Sequence, residues 1–222
     1  MQHTLSIIEN ALWPILEAGF TVTIPLALIS FALSLVLAVL TAIMRISKSK
    51  LLKGLAWFYV WVFRGTPLLI QLFIVFFGLP KLNITLDAWT AAILTFALNS
   101  GAYSAESIRG AILSIPRGQW EAADSLGMTH AQVLRRIIFP QTIRIALPAV
   151  MNDFISLVKS TSLASSITII EMTMVGQQFA SVTYEPLILY SEVAVIYLLI
   201  STVLTWLQGK LETRTSKYLR KA

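Results

Sequence analysis

Long apolar runs alternate with short polar segments along the whole chain. The longest run, from Ala18 to Met44, contains no charged side chain. A helix needs roughly 20 apolar residues to cross the hydrocarbon core of a bilayer. This run therefore predicts a transmembrane helix rather than a helix in a soluble core.

The pattern recurs and predicts an all-α membrane protein with five transmembrane helices. An external N-terminal segment, residues 1–18, precedes a transmembrane domain at 19–207, and a basic cytoplasmic tail follows at 208–222. Within the domain the predicted spans are 19–44, 55–79, 88–108, 145–170 and 186–207. The fourth span is the least apolar, because it contains Asp153 and Lys159.

The positions of the cations predict the orientation of these spans. Most of the 17 Lys and Arg residues lie between spans one and two, between spans three and four, or in the C-terminal tail. Lys81 alone lies on the opposite side. Cytoplasmic loops collect Lys and Arg, so we expect the N-terminus outside and the C-terminus inside. The outer loops, Lys81–Asp87 and Glu171–Glu185, are then too short for an external domain.

Composition agrees with a membrane protein and excludes several kinds of chemistry. Hydrophobic residues make up 56% of the chain and charged residues 13%, whereas soluble domains have about 25% charged residues. The chain has no cysteine, which excludes disulfides, thiolate metal ligands and cysteine catalysis. The N-terminus lacks the charged region of a cleaved signal peptide, so we interpret the first span as retained.

A polar, helix-prone segment from Arg117 to Gln141 lies within the predicted cytoplasmic loop, residues 109–144. Its first half predicts a short helix that ends at Gly127, because glycine readily adopts a left-handed turn. Thr129 and Gln132 have the spacing of a capping box for a second helix. From the residues alone, this segment is either a docking element or a solvated linker with an amphipathic helix.

The spacing of Glu121-Ala122-Ala123, Gly127 and Pro140 resembles the EAA loop of bacterial ABC importer permeases. Phe139 stands where that pattern usually has Leu. The segments Phe63–Phe73, Gly101–Met128 and Pro140–Leu163 are similar to the polar amino-acid subfamily, and the match extends from about Arg45 to the C-terminus. Ser160 stands where many members have Asp.

This resemblance implies an ABC type I importer-like permease fold in a bacterial cytoplasmic (inner) membrane. In that family the EAA loop is a coupling helix, so Glu121, Ala122, Ala123 and Gly127 would dock on the ATPase. The implied partners are a cytoplasmic ATPase dimer, a second permease copy or paralogue, an extracellular or periplasmic solute-binding protein, a polar amino acid and membrane lipid. ATP and Mg would be held by the ATPase and no cofactor by this chain, which would not itself be an enzyme.

Polar side chains inside the spans are candidates for the translocation path, because such groups are costly in a bilayer. In span two, Arg64 and Thr66 adjoin Pro67, which removes a helical hydrogen bond and clashes with the Phe63 carbonyl. We expect a break there. It would form part of a substrate path or gate, or else a structural kink with a snorkelling arginine.

Two further helices each carry a polar face. In span three, Asn99, Tyr103 and Glu106 share one side of the helix, where they line a path or form hydrogen bonds at a dimer seam. In span four, Asn152, Ser156 and Lys159 share a face. Lys159 would contact a substrate carboxylate, or pair with Glu106 or Asp153. Our hypothesis is that Arg64, Asn99, Glu106 and Lys159 surround one path.

Other features limit the possible functions. The chain has no G-x-x-x-x-G-K-[ST] phosphate loop, so ATP chemistry would belong to a partner. His3 and His130 have no accompanying ligand cluster, and no metal site is predicted. An ion-coupled secondary transporter or channel is the main alternative, and a membrane scaffold the weaker one. The residues do not decide between cystine, glutamine, histidine or a similar substrate, nor between a homodimer and a heterodimer.

Overall fold

The structure is a computed structural model that describes the backbone of residues 2–216 and the side chains of residues 4–213. Within that part of the chain all regular secondary structure is helical, as predicted. Part of the predicted basic tail, residues 217–222, lies outside the described residues. The α-helices are α1 (Gln2–Ala18), α2 (Ile24–Ile46), α3 (Lys50–Gly65), α4 (Leu68–Phe73), α5 (Ala88–Leu113), α6 (Arg117–Ser125), α7 (His130–Val133), α8 (Phe139–Ser160), α9 (Met172–Thr183) and α10 (Pro186–Ser216).

The N-terminal segment is a helix that continues into the first predicted span. A π-helical turn, Gly19–Thr23, joins α1 to α2, so that Thr4–Ile46 is one helix of 43 residues. At 1.5 Å per residue it is about 65 Å long, roughly twice the thickness of a hydrocarbon core. Ile7, Ala11 and Ile15 recur at helical spacing and are buried against α9 and α10.

Helices α2 and α5 approach closely along a seam of small residues. Ala27, Ser34 and Ala38 are buried on α2, and Ala97, Gly101 and Ala105 on α5. A Cβ at Gly101 would lie 3.0 Å from the Tyr59 hydroxyl and 3.2 Å from the Ser34 carbonyl oxygen. Small side chains let helix backbones pack closely in a membrane, and this seam fixes α5 as the central helix.

The predicted break in span two is confirmed. Helix α3 ends at Gly65, Thr66 and Pro67 are extended, and α4 begins at Leu68. The two helical segments, Lys50–Gly65 and Leu68–Leu82, are bent by 106° at this point. Proline disfavours the helical conformation of the residue before it, so the break follows from the sequence.

The polar segment folds as the capping residues predict, but it returns to the membrane without a loop. Thr129 and Gln132 form the predicted capping box at the start of α7. From His130 the helix then continues without interruption to Ile167. Pro140 does not interrupt it, because a π-helical turn, Leu134–Ile138, directly precedes the proline, and such local adjustments satisfy the backbone groups that a proline frees.

The segment predicted as a short outer loop, Glu171–Glu185, is mostly helical, because it contains helix α9. Met172, Val175 and Ala180 pack on α1 and α10, and Glu171 caps the helix by accepting a 2.9 Å bond from the Met174 N–H. Glu171 is fully buried and also accepts a bond from the Tyr197 hydroxyl. The glutamines and hydroxyl residues of this segment lower its mean hydropathy, so a prediction based on hydropathy does not detect the apolar face of the helix.

Among the described residues, the length and hydropathy of the helices give two to four candidate spans rather than the five predicted. Thr4–Ile46 and Pro186–Thr213 are each long and apolar enough to cross a membrane. Two bent pairs add one span each if every pair crosses once: Lys50–Gly65 with Leu68–Leu82, and His130–Ile167 with Met172–Thr183. The remaining long helix, α5, carries the polar residues discussed next.

Candidate translocation site and coupling helix

A pair of amide side chains holds the broken helix together. The Gln71 amide donates to the carbonyl oxygens of Phe63 and Thr66 at 2.9 and 3.0 Å, and to the Thr66 hydroxyl at 2.8 Å. The Asn99 amide of α5 donates to the backbone carbonyl of Phe63 at 3.1 Å and to the side-chain Oε1 of Gln71 at 3.0 Å. These bonds satisfy the backbone that Pro67 leaves unpaired, which is essential where water is excluded. We call this group the amide clip.

A cavity of about 290 Å³ lies beside the clip. Its polar lining comes from α5 and α8 and comprises Asn99, Ser100, Tyr103, Asp153, Ser156 and Ser160. The Ser104 hydroxyl donates to the Asp153 carboxylate at 2.8 Å, which fixes one oxygen of that acid. This central cavity therefore offers a carboxylate, hydroxyls and an amide to a polar solute.

A second cavity, of about 350 Å³, adjoins the end of α2. Its lining includes Arg45, Arg64 and Glu106 together with Trp57 and Trp61, so we call it the arginine cavity. Glu106 accepts bonds from Arg45 at 3.1 Å and from Arg109 at 2.7–3.1 Å.

The structure corrects the predicted pairing of Lys159 with Glu106 or Asp153. Those two acids are bound to the arginines and to Ser104, respectively. Lys159 lines a third cavity, of about 540 Å³, with Ser162, Tyr190 and Tyr197 between α8 and α10. Among the described residues no carboxylate lies within ion-pair distance of Lys159.

The predicted path residues thus divide among neighbouring cavities. Asn99, Tyr103 and Ser156 meet in the central cavity, and Arg64 and Glu106 meet in the arginine cavity. At the boundary between the two cavities, the Arg64 guanidinium carbon lies 5.1 Å from the centre of the Tyr103 ring. Thr66 belongs to the amide clip, Pro67 precedes α4, and Asn152 is exposed on α8. Their roles in transport stay a prediction.

Helix α6 divides its residues between the core and the surface. Ala123 is 1% exposed and packs in a cluster with Ile112, Val133 and Ile138. Glu121 and Ala122 are exposed. Gly127 has φ of +69°, a left-handed conformation that favours glycine and that ends the first helix as predicted. The helix is anchored on one face and free on the other.

Sequence reasoning missed some residues of the site. Gln71 was overlooked, although it is the only polar residue in the run Leu68–Phe73 and lies four residues after Pro67. Arg45 was assigned to the loop between the first two predicted spans, whereas it lies at the end of α2 and binds Glu106, which is 61 positions later in the sequence. No local signal reveals that contact, because it depends on how α2 packs on α5.

Comparison with known proteins places the chain in a family. Residues 34–217 match the model of the family described as binding-protein-dependent transport system inner membrane component. The chain belongs to this family. The membership agrees with an inner-membrane location and with the resemblance drawn from the EAA loop.

Relatives and a solved structure extend the match to nearly the whole chain. The L-cystine transport system permease protein TcyB of Bacillus subtilis (strain 168) is 44% identical over 216 residues, covering 97% of this chain and 92% of the relative. The glutamine transport system permease protein GlnP of Escherichia coli (strain K12) is 35% identical, covering 92% and 96%. A crystal structure of an amino acid ABC transporter with histidines superposes with a TM-score of 0.87 at 36% identity, covering 95% of this chain and 97% of that one.

Proposed function

We propose that this chain is the membrane-spanning subunit of an ATP-driven importer for a polar amino acid. The observation that carries the proposal is helix α6, which is anchored through Ala123 and presents Glu121 and Ala122 on its free face. Such a helix can receive force from a partner and pass it to the core. Family membership favours this function over an ion-coupled secondary transporter.

The proposed topology has five spans, with the N-terminus outside and the C-terminus inside. Helix α5 would supply the span predicted at 88–108, although it is not among the candidate spans that length and hydropathy give. Its 26 residues give about 39 Å of helix, enough to cross a bilayer. Its polar residues face protein or a cavity: Asn99 joins the amide clip, and Glu106 is enclosed by arginines.

The substrate we propose is a zwitterionic amino acid of the cystine, glutamine or histidine type. Asp153 in the central cavity would attract an ammonium group, and the hydroxyls of Ser156 and Ser160 would bind polar substituents. Arg64, beside the cavity, would attract a carboxylate. The relatives named for L-cystine and glutamine support this class of substrate.

A second permease copy or paralogue would complete the path. Arg64, Tyr103, Ser156 and Lys159 are exposed in the single chain. Polar groups at membrane depth usually face protein or water-filled space, so a partner subunit would cover this surface. A solute-binding protein would deliver substrate from outside, and lipid would surround the assembly.

The motion would pass from the ATPases to the spans through direct packing. Ala123 belongs to one hydrophobic cluster with Ala42 of α2, Ala105 of α5 and Val150 of α8. When bound ATP and Mg draw two ATPases together, α6 would move with them and shift these helices. The path would then alternate between inward and outward access. This chain would perform no catalysis itself.

Co-purification tests the proposal. The chain would be tagged at its C-terminus, extracted gently from its native membrane, and analysed for the proteins that remain bound. A P-loop ATPase in about one-to-one ratio is the expected result. A chain that purifies without an ATPase and still moves amino acids without ATP would contradict the proposal.

A further inference from the structure

The contact between Arg64 and Tyr103 lies between two cavities. Tyr103 lines the central cavity, and Arg64 lines the arginine cavity. The guanidinium carbon is 5.1 Å from the centre of the ring, within the range of a cation–π contact. The two side chains therefore form part of the wall that separates the cavities.

The order of residues along α5 shows which of the two cavities lies nearer to the coupling helix. Asn99, Tyr103 and Glu106 follow one another at intervals of about 6 and 4.5 Å of helix rise. Helix α5 leads directly to the coupling helix α6, so the arginine cavity lies between the central cavity and the cytoplasmic end. A solute that leaves the central cavity toward the cytoplasm meets Arg64 and Tyr103.

The amide clip provides a way for a solute in the central cavity to affect the position of Arg64. Asn99 lines the central cavity, and its amide donates to the carbonyl of Phe63, the residue before Arg64. A solute that accepts a bond from the Asn99 amide competes with that carbonyl. Its binding would weaken the hold on the last turn of α3, the turn that carries Arg64.

We propose that Arg64 and Tyr103 form a cytoplasmic gate of the central cavity, and that the amide clip holds this gate closed until a solute engages Asn99. The inference rests on the proposed function, because it names the gate of the same path. A cation–π contact is suited to this task, since it is weak enough to open and each of its two side chains lines one of the two cavities.

Cysteine labelling tests the gate, because the chain has no cysteine of its own. Ser156→Cys places one thiol in the central cavity, and we call this thiol the cavity probe. The complex, with its partner subunits, is labelled in sealed vesicles by a membrane-impermeant charged thiol reagent added on the cytoplasmic side without ATP. The mass shift of this chain gives the labelling rate. Lys48→Cys, exposed between α2 and α3, controls for sidedness and reagent access, and we call its thiol the surface probe.

Opening the gate should raise the labelling rate of the cavity probe. We expect Tyr103→Ala and Arg64→Gln, each combined with Ser156→Cys, to increase it about tenfold, the scale of losing one such contact. Tyr103→Phe keeps the ring and should leave the rate within about twofold. Asn99→Leu, which removes the Asn99 bonds of the clip and leaves those of Gln71 to the backbone, should also increase the rate, and combining it with Tyr103→Ala should add little.

Unchanged labelling of the cavity probe in both Tyr103→Ala and Arg64→Gln, with assembled complexes, would overturn the gate. A cavity probe that reacts as fast as the surface probe while Arg64 and Tyr103 are both intact would do the same. An unchanged rate in Asn99→Leu would overturn the role of the clip. Labelling needs no transport, so a gate response without ATP-driven uptake would contradict the proposed function alone.

Discussion

Gln71 shows how one side chain makes a broken helix tolerable in a membrane. Pro67 removes a backbone donor, and the carbonyls of Phe63 and Thr66 lose helical partners. Gln71 supplies both with donors and is itself 7% exposed. The break could be predicted from proline chemistry, but its repair could not, because Asn99 joins the group only through the packing of α5.

Replacing Gln71 with leucine should therefore destabilise the protein. We expect a loss of about 1–2 kcal/mol, since hydrogen bonds between membrane helices average about 0.6 kcal/mol and Gln71 makes several. The midpoint of thermal unfolding of the purified protein measures the effect. Gln178→Leu, at an exposed position of α9, is the matched control. Equal midpoints for Gln71→Leu and the control would contradict this role.

Glu106 and Arg45 should act as one unit. Glu106 lies between two guanidiniums, and the side chains of Arg45 and Glu106 are each only 16% exposed. In a double-mutant cycle of Arg45→Gln and Glu106→Gln, the coupling free energy should be about 1–3 kcal/mol. Thermal unfolding of the four proteins gives this energy. Additive effects would show that the pair contributes nothing to the stability of the α2–α5 contact.

At the scale of elements, sequence was most informative where a local rule sets the structure. Thr129 and Gln132 form their capping box, and Gly127 takes its left-handed turn, because both depend on residues a few positions away. Helix α9 was missed, because its stability comes from contacts with α1 and α10. Its helical face is not visible in hydropathy averaged over a span.

The two alanines of α6 should respond differently to enlargement. Ala122→Leu adds bulk to an exposed surface, so we expect a normally folded chain that loses the ATPase on purification. Ala123→Leu overpacks a side chain that is 1% exposed and should cost about 1–3 kcal/mol of stability. Thermal unfolding and the amount of co-purified ATPase distinguish the two variants. Retention of the ATPase by Ala122→Leu would contradict docking on this face.

At the scale of the whole molecule, the family and the helical fold could be predicted, whereas the arrangement of the polar residues could not. Helical spacing placed Asn99, Tyr103 and Glu106 on one side of α5. It did not reveal that Arg45 and Arg109 enclose Glu106, or that Lys159 lies in a separate cavity. Those relations depend on the relative rotation of packed helices, which a single sequence does not specify.

The polar surface of the single chain leads to a prediction about assembly. Because Arg64, Ser156 and Lys159 are exposed, we expect two permease chains in each complex with two ATPases. Mass spectrometry of the intact purified complex gives the numbers of each subunit. An active complex with a single permease chain would exclude a path formed between two copies.

ATP-driven uptake is the most direct test of the central claim. The purified complex would be placed in lipid vesicles with ATP and Mg on the side of α6, and the binding protein with labelled L-cystine, L-glutamine or L-histidine on the other. We predict accumulation of one of these amino acids that requires ATP and is lost with Glu121→Arg, which reverses a charge on the free face of α6. Accumulation that proceeds without ATP and follows an imposed ion gradient would contradict the account.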